Sequence, residues 1–91
     1  MSGATLILLT RAYCSLCDEM QRQVEAFARE RGIRVELIDI DAHASLVEQF
    51  DVLVPVLFLG APDAASELCH YRFDAERVSA AIGGPVAPQI G

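Results

Sequence analysis

Cys14 and Cys17, in the segment Thr10-Arg11-Ala12-Tyr13-Cys14-Ser15-Leu16-Cys17, stand where a short apolar run gives way to a helical pattern. A thiol at a helix N-terminus meets unpaired backbone N–H groups and the positive end of the helix dipole, both of which favour its thiolate. The second thiol, three residues on, lies one turn deeper on the same face. Neighbouring helical turns bring two such side chains within disulfide reach, because the bridge tolerates Cα separations of roughly 4.4 to 6.8 Å. The chemistry this spacing supports is reversible thiol–disulfide exchange, with Cys14 attacking and Cys17 resolving.

The electronic demand on Cys14 is modest. An unperturbed thiol with a pKa of about 8.5 is roughly 3% thiolate at pH 7, and a pKa of about 7 raises that to about half. Intrinsic nucleophilicity falls with pKa, so the net gain in attack is only about threefold. A lowered pKa matters as much by making Cys14 a good leaving group when Cys17 attacks the mixed disulfide. Asp18 and Glu19, directly after Cys17, suit the helix dipole but oppose a thiolate, which moderates the acidity of Cys14.

The elements that must position this pair alternate along the chain, with no internal repeat and no interior linker. Thr5 to Leu9 is a continuous apolar run, as expected of a strand covered on both faces. From Ser15 to about Arg31 the positions Leu16, Met20, Val24, Phe27 and Ala28 recur at helical spacing, and Gly32 is suited to stop the helix. Ile33 to Ile40 reads as a second strand, with Ile33, Val35 and Leu37 alternating with Arg34 and Glu36. Asp41 is the expected cap of a short helix through Phe50, with Leu46, Val47 and Phe50 inward and Asp51 ending it in the left-handed conformation that Asp tolerates. Pro55 to Leu59 is a third strand. The loop Gly60-Ala61-Pro62-Asp63 leads to a fourth at Glu67 to Tyr71, and Asp74 caps a last helix reaching about Ile82.

The order βαβαββα predicts an α/β fold. Two strands joined through a helix run parallel and the last two form a hairpin, giving a mixed four-stranded sheet with helices on both faces. Residues 1–82 form the domain, and residues 83–91, with Gly83-Gly84-Pro85 and Pro88, read as a flexible tail.

Composition narrows the function. Ninety-one residues, 53% apolar and 22% charged, suit one modest core. Leu6 to Leu9 is too short to span a membrane, and no basic segment precedes it as in a secretory signal, so a cytoplasmic protein is expected. Three cysteines cannot all pair within one chain, and in a reducing compartment a close pair reads as catalytic or metal-binding. The net charge is −6, and all seven basic residues are scattered arginines. That balance argues against nucleic acid or an anionic membrane as partner. A monomer is expected.

The element order, with Cys-x-x-Cys at the first strand-to-helix turn and Val54-Pro55 opening the third strand, resembles the thioredoxin fold. Within it, the chain from Thr5 to about Ile82 is most similar to the small glutaredoxins and their bacterial glutaredoxin-like relatives. The resemblance implies a thiol–disulfide oxidoreductase acting on a disulfide-containing protein or a small-molecule thiol, without a resident cofactor and with glutathione as reductant or substrate. It implies that Pro55 is cis and lies beside the cysteine pair, so that Val54 offers its N–H and C=O to an extended peptide or to glutathione. The plainer reading of Pro55 is the start of an edge strand, where it interrupts no ladder bond. Arg11 matches a basic position common in glutaredoxins, suited to a thiolate or a glutathione carboxylate, or else is an exposed loop arginine. Tyr13 matches an aromatic found near this position in many relatives, which implies that it walls one side of the site, or else it packs.

The departures bear on substrate. Glutaredoxins commonly carry Pro-Tyr between the cysteines, where this chain has Ser15-Leu16. They also place Gly-Gly, two residues and an Asp after the fourth strand, where close backbone approach holds the γ-glutamyl end of glutathione. The corresponding stretch here is His70-Tyr71-Arg72-Phe73-Asp74. Asp74 is kept and the glycines are gone, which argues against glutathione binding of the usual kind.

Cys69 and His70 suggest a zinc site completed by Cys14 and Cys17, but adjacent strand residues point to opposite faces, and Cys69 reads more simply as a small core residue. His43 reads as a surface residue. Three function classes stand: a glutaredoxin-like oxidoreductase, a metal or iron–sulfur binding module, and a non-catalytic interaction domain of the same fold.

Overall fold

In a computed structural model of the chain, residues 4–83 are described; the tail expected at residues 83–91 lies outside them except for Gly83. The apolar run forms β1 (Thr5–Thr10), which sits in the interior of the sheet. Its side chains feed two cores. Leu6 and Leu8 point to one face with Met20, Val24, Phe27, Leu57, Leu68 and Val78, and Ile7 and Leu9 to the other with Ile40, Phe50, Val56 and Phe58. A strand apolar on both faces is the consequence of this two-sided burial.

The remaining elements are α1 (Ser15–Arg31), β2 (Arg34–Asp39), α2 (Ala44–Phe50), β3 (Val56–Leu59), β4 (Glu67–His70) and α3 (Ala75–Ala81), with short 3₁₀ turns at Ile40–Ala42 and Ala64–Ser66. The sheet order is β2-β1-β3-β4. β1 and β2 run parallel, whereas β1–β3 and β3–β4 are antiparallel. This is the expected mixed four-stranded sheet, with α1 and α3 on one face and α2 on the other. None of the helices among the described residues is long and apolar enough to cross a membrane.

The helix ends follow local chemistry. Gly32 adopts the left-handed conformation (φ 65°) that stops α1, and its N–H donates to the Ala28 carbonyl. Asp74 caps α3, its carboxylate accepting the Arg77 N–H at 3.0 Å.

Several local expectations are corrected. In α1 the buried stripe is Cys17, Met20, Val24, Phe27 and Ala28, while Leu16 stays exposed. The 17-20-24-27 spacing continues one face, from which Leu16 is turned away. β2 is shorter than Ile33 to Ile40, and Leu37 remains 48% exposed. β2 is an edge strand with a neighbour on one side only, so its cover is incomplete. β3 begins at Val56 rather than Pro55, and β4 ends at His70 after an irregularity in its register against β3 at Leu57 and Phe58. Asp41 does not cap α2. Asp39 caps the preceding 3₁₀ turn by accepting the Asp41 N–H at 3.0 Å, and His43, without a side-chain bond, precedes α2. Asp51 is right-handed (φ −47°), because its N–H still donates to the Val47 carbonyl and continues the helical turn. Phe50 is buried and Leu46 and Val47 pack partly against the second core, as expected.

Asp41 is committed instead to Arg11, one residue beyond β1. The guanidinium donates from Nε and Nη2 to the two Asp41 carboxylate oxygens at 3.1 and 2.9 Å. It also donates to the Asp51 carboxylate at 2.7 Å and the Asp51 carbonyl at 3.3 Å. One side chain thus joins the segment leading to Cys14 to the turn before α2 and to the end of α2. The hydrogen bonds from Arg11 hold the Asp41 carboxyl below its usual range, and the two carboxylates raise the Arg11 guanidinium further above neutrality.

Two outcomes follow. A Cβ at residue 32 would meet nothing within 4 Å, so Gly32→Ala carries only the conformational penalty of its positive φ, and urea denaturation should read a loss of about 1 kcal/mol. Because the folded Asp41 carboxyl is depressed, its stabilising contribution is present above the unfolded carboxylate pKa and is lost as pH falls through the folded one. In Arg11→Met, carboxyl NMR titration should place Asp41 back in the ordinary range, and the fall of melting temperature on acidification should be shallower.

Candidate active site

The pairing of Leu9 with Val56 brings the segment after β1 and the segment before β3 to the same end of the sheet. The bonds from Arg11 to Asp51 close the gap between them. Cys14 lies on the first of these segments as the N-cap of α1, in extended backbone, and its carbonyl accepts the Asp18 N–H at 3.1 Å. Its Sγ accepts the Cys17 N–H at 3.1 Å. The sulfurs of Cys14 and Cys17 are joined as a disulfide, with their Cα atoms 5.2 Å apart.

The two sulfurs are not equivalent. Cys14 is half-buried, whereas Cys17 is 1% exposed because it begins the buried stripe of α1. An external reactant therefore meets Cys14, and Cys17 stands behind it. The Cys14 sulfur thus sits at the positive end of a long helix with a backbone N–H pointing at it.

On the facing segment, the Val54–Pro55 peptide bond is cis. Pro55 is fully buried, and its carbonyl accepts the Tyr71 N–H at 2.9 Å. The Tyr71 hydroxyl donates to the Val52 carbonyl at 2.7 Å. Between these two anchored carbonyls, the N–H and C=O of Val54 take no hydrogen bond from any described residue. An extended chain laid along this segment would find one free donor and one free acceptor.

The other candidates separate. Arg11 has four of its five N–H donors engaged by Asp41 and Asp51, so it braces the loops rather than facing the sulfurs. Tyr13 has left-handed backbone (φ 57°) and a fully exposed side chain, which excludes the packing reading. The carboxylate of Asp74 is turned to the first turn of α3. Cys69 packs partly against the first core, and burial is the main influence pushing its thiol pKa up. His70 pairs with Glu67 at 2.6 Å. No group of three His, Cys, Asp or Glu among the described residues is arranged to hold a metal ion. The exposed His43 agrees with expectation.

The larger concavity lies away from the disulfide. A groove of about 840 Å³ runs between β4 and α3, past Cys69, His70 and Arg77, and touches neither bridged cysteine. A smaller cleft of about 150 Å³ lies against the first turns of α1, between Leu16, Glu19 and Met20 on one side and Tyr71 and Phe73 on the other. Tyr71, with φ 66° and both its N–H and its hydroxyl anchored on the Val52–Pro55 segment, has no sequence signature; the burial of Cys17 has one, in the 17-20-24-27 spacing.

Comparison with known proteins agrees with this architecture. The chain is 31% identical over 91 residues to an uncharacterized protein of Mycobacterium tuberculosis, Rv0508, across 93% of this chain and 94% of that one. The solution structure of protein Ne2328 from Nitrosomonas europaea superposes with a TM-score of 0.78 at 30% identity, covering 91% of this chain and 95% of the other. Mitochondrial thioredoxin 3 from Saccharomyces cerevisiae in its oxidized form shares the fold, with a TM-score of 0.64 at 15% identity and coverage of 90% and 78%. Residues 5–83 match the Glutaredoxin-like domain (DUF836), and with the thioredoxin-like topology and the paired cysteines at the head of α1 this makes the chain a member of that glutaredoxin-like family.

Proposed function

We propose that this protein is a thiol–disulfide oxidoreductase that cycles Cys14 and Cys17 between dithiol and disulfide. The observation that carries the reading is the asymmetry of the pair: a half-buried sulfur at the helix N-terminus that accepts a backbone N–H, backed by a sulfur that is 1% exposed. In the reductive direction the Cys14 thiolate attacks one sulfur of a substrate disulfide, and the other substrate sulfur leaves as a thiolate that takes up a proton. A mixed disulfide between Cys14 and the substrate results. Cys17 then loses its proton, attacks the Cys14 sulfur and expels the second substrate thiolate. Two electrons pass from the dithiol to the substrate, and the protein is left with the Cys14–Cys17 disulfide. A separate dithiol or two glutathione molecules return it to the reduced form.

Burial of Cys17 supports the division of labour. The resolving thiol is shielded from outside disulfides yet lies one turn from the sulfur it must attack. The free main chain of Val54 supports recognition of an extended disulfide-bearing segment, and the net charge of −6 supports neither nucleic acid nor membrane as partner. The reading places the protein in the cytoplasm as a monomer.

Cys14→Ser should lower the rate of disulfide reduction by about a hundredfold or more, and full retention of activity would end the reading. Cys17→Ser should complete the first exchange and accumulate a Cys14 mixed disulfide, detectable as a mass adduct. In the reduced protein, time-resolved alkylation should label Cys14 well before Cys69, whose thiol is disfavoured as an anion by its burial.

A further inference from the structure

Among the described residues, two that are not glycine adopt left-handed backbone, Tyr13 and Tyr71. A Cβ in that region is unfavourable, and such a conformation persists where its surroundings over-determine it. At Tyr71 they do. Its N–H donates to the Pro55 carbonyl, its hydroxyl to the Val52 carbonyl, and its ring meets His70 edge-on with centroids 4.7 Å apart. The two bonded carbonyls lie on either side of Val54, whose own N–H and C=O take no hydrogen bond from a described residue. Tyr71 therefore holds a short segment from both ends and leaves the middle residue's main chain presented.

The same side chain walls a cleft along the first turns of the helix that carries the disulfide. Tyr71 is 42% exposed and, with Leu16 and Phe73, walls the cleft of about 150 Å³ along α1. Pockets that enclose small organic ligands are about 300 to 1,000 Å³, so this cleft is undersized for a tripeptide. A polypeptide needs no enclosure. It can lie extended over the rim, bond to Val54 and rest on the exposed apolar surfaces of Tyr13, Leu16 and Val52.

We infer that Tyr71 is a positioning and specificity-determining residue, which fixes the Val52–Pro55 segment so that Val54 receives an extended polypeptide disulfide and whose ring denies the cleft beside Leu16 to a small tripeptide thiol. The inference rests on the dithiol reading above and adds no chemical step. Cys14 displaces one sulfur of the bound disulfide as before, and only the identity of the bound group is decided by Tyr71.

The test compares the wild-type protein, Tyr71→Phe and Tyr71→Gly on two substrates, a disulfide-bridged linear peptide and the mixed disulfide of glutathione with cysteamine. Tyr71→Phe removes only the bond to the Val52 carbonyl, and the peptide KM should rise about fivefold with kcat unchanged, the small substrate being unaffected. Tyr71→Gly accepts the φ of 66° and keeps the N–H to Pro55, so the fold is retained; kcat/KM for the small mixed disulfide should rise about tenfold while the peptide KM rises as in Tyr71→Phe. An unchanged peptide KM in both variants, or no gain on the small substrate in Tyr71→Gly, overturns the role of Tyr71 while wild-type turnover of the peptide keeps the dithiol reading. If the wild-type protein reduces neither substrate, the dithiol reading falls and this assignment falls with it.

Discussion

The rotation of α1 about its own axis is the constraint on which the site depends. Cys17, Met20, Val24, Phe27 and Ala28 form the buried stripe of the helix, and Met20, Val24 and Phe27 join the core built on Leu6, Leu8 and Leu57. Once that stripe is buried, Cys17 must face the sheet and Cys14, three residues earlier at the cap, must stand at the open first turn. Burial of a large apolar side chain contributes on the order of 1.5–3 kcal/mol, so several acting together hold the helix against any rotation that would bring Cys17 out of the core. The difference in exposure between the two sulfurs is thus a consequence of packing.

The loops around the disulfide are held by polar contacts as well as by the packing of Leu53, Val54 and Pro55. Arg11 spans Asp41 and Asp51, and Tyr71 spans Val52 and Pro55, so the segments flanking β1 and β3 are each braced by one residue. The Arg11 contacts are exposed and screened by solvent, and ion pairs of that kind contribute little to global stability. Their effect is geometric: they keep the approach to Cys14 in register with the cis-proline segment. Tyr71, at a strained backbone angle, holds its segment with a backbone bond and a hydroxyl bond together.

Much of this was legible in the residues. The apolar run of β1, the helical spacing of α1, Gly32 as its stop and Asp74 as the cap of α3 are local signals, and local signals survive folding because they depend on near neighbours. The cysteine pair and Val54-Pro55 were readable for the same reason. Asp41 was misplaced because capping propensity is a weak preference beside a bidentate bond to an arginine thirty positions earlier in the chain. The exposure of Leu37 was not legible, because alternation says which side chains share a face but not whether that face is covered.

The sequence by itself determined the order of the elements, the place of the two thiols at a helix start and the family to which the chain belongs. Periodicity, caps and short motifs encode each of these within a few residues. Only the tertiary structure decided that Arg11 is engaged by Asp41 and Asp51 across the loops, and that Tyr71 bonds to Val52 and Pro55 on either side of Val54. Those outcomes depend on contacts between residues tens of positions apart, made when β1 and β3 pair and α1 settles on the sheet, and no local pattern carries them.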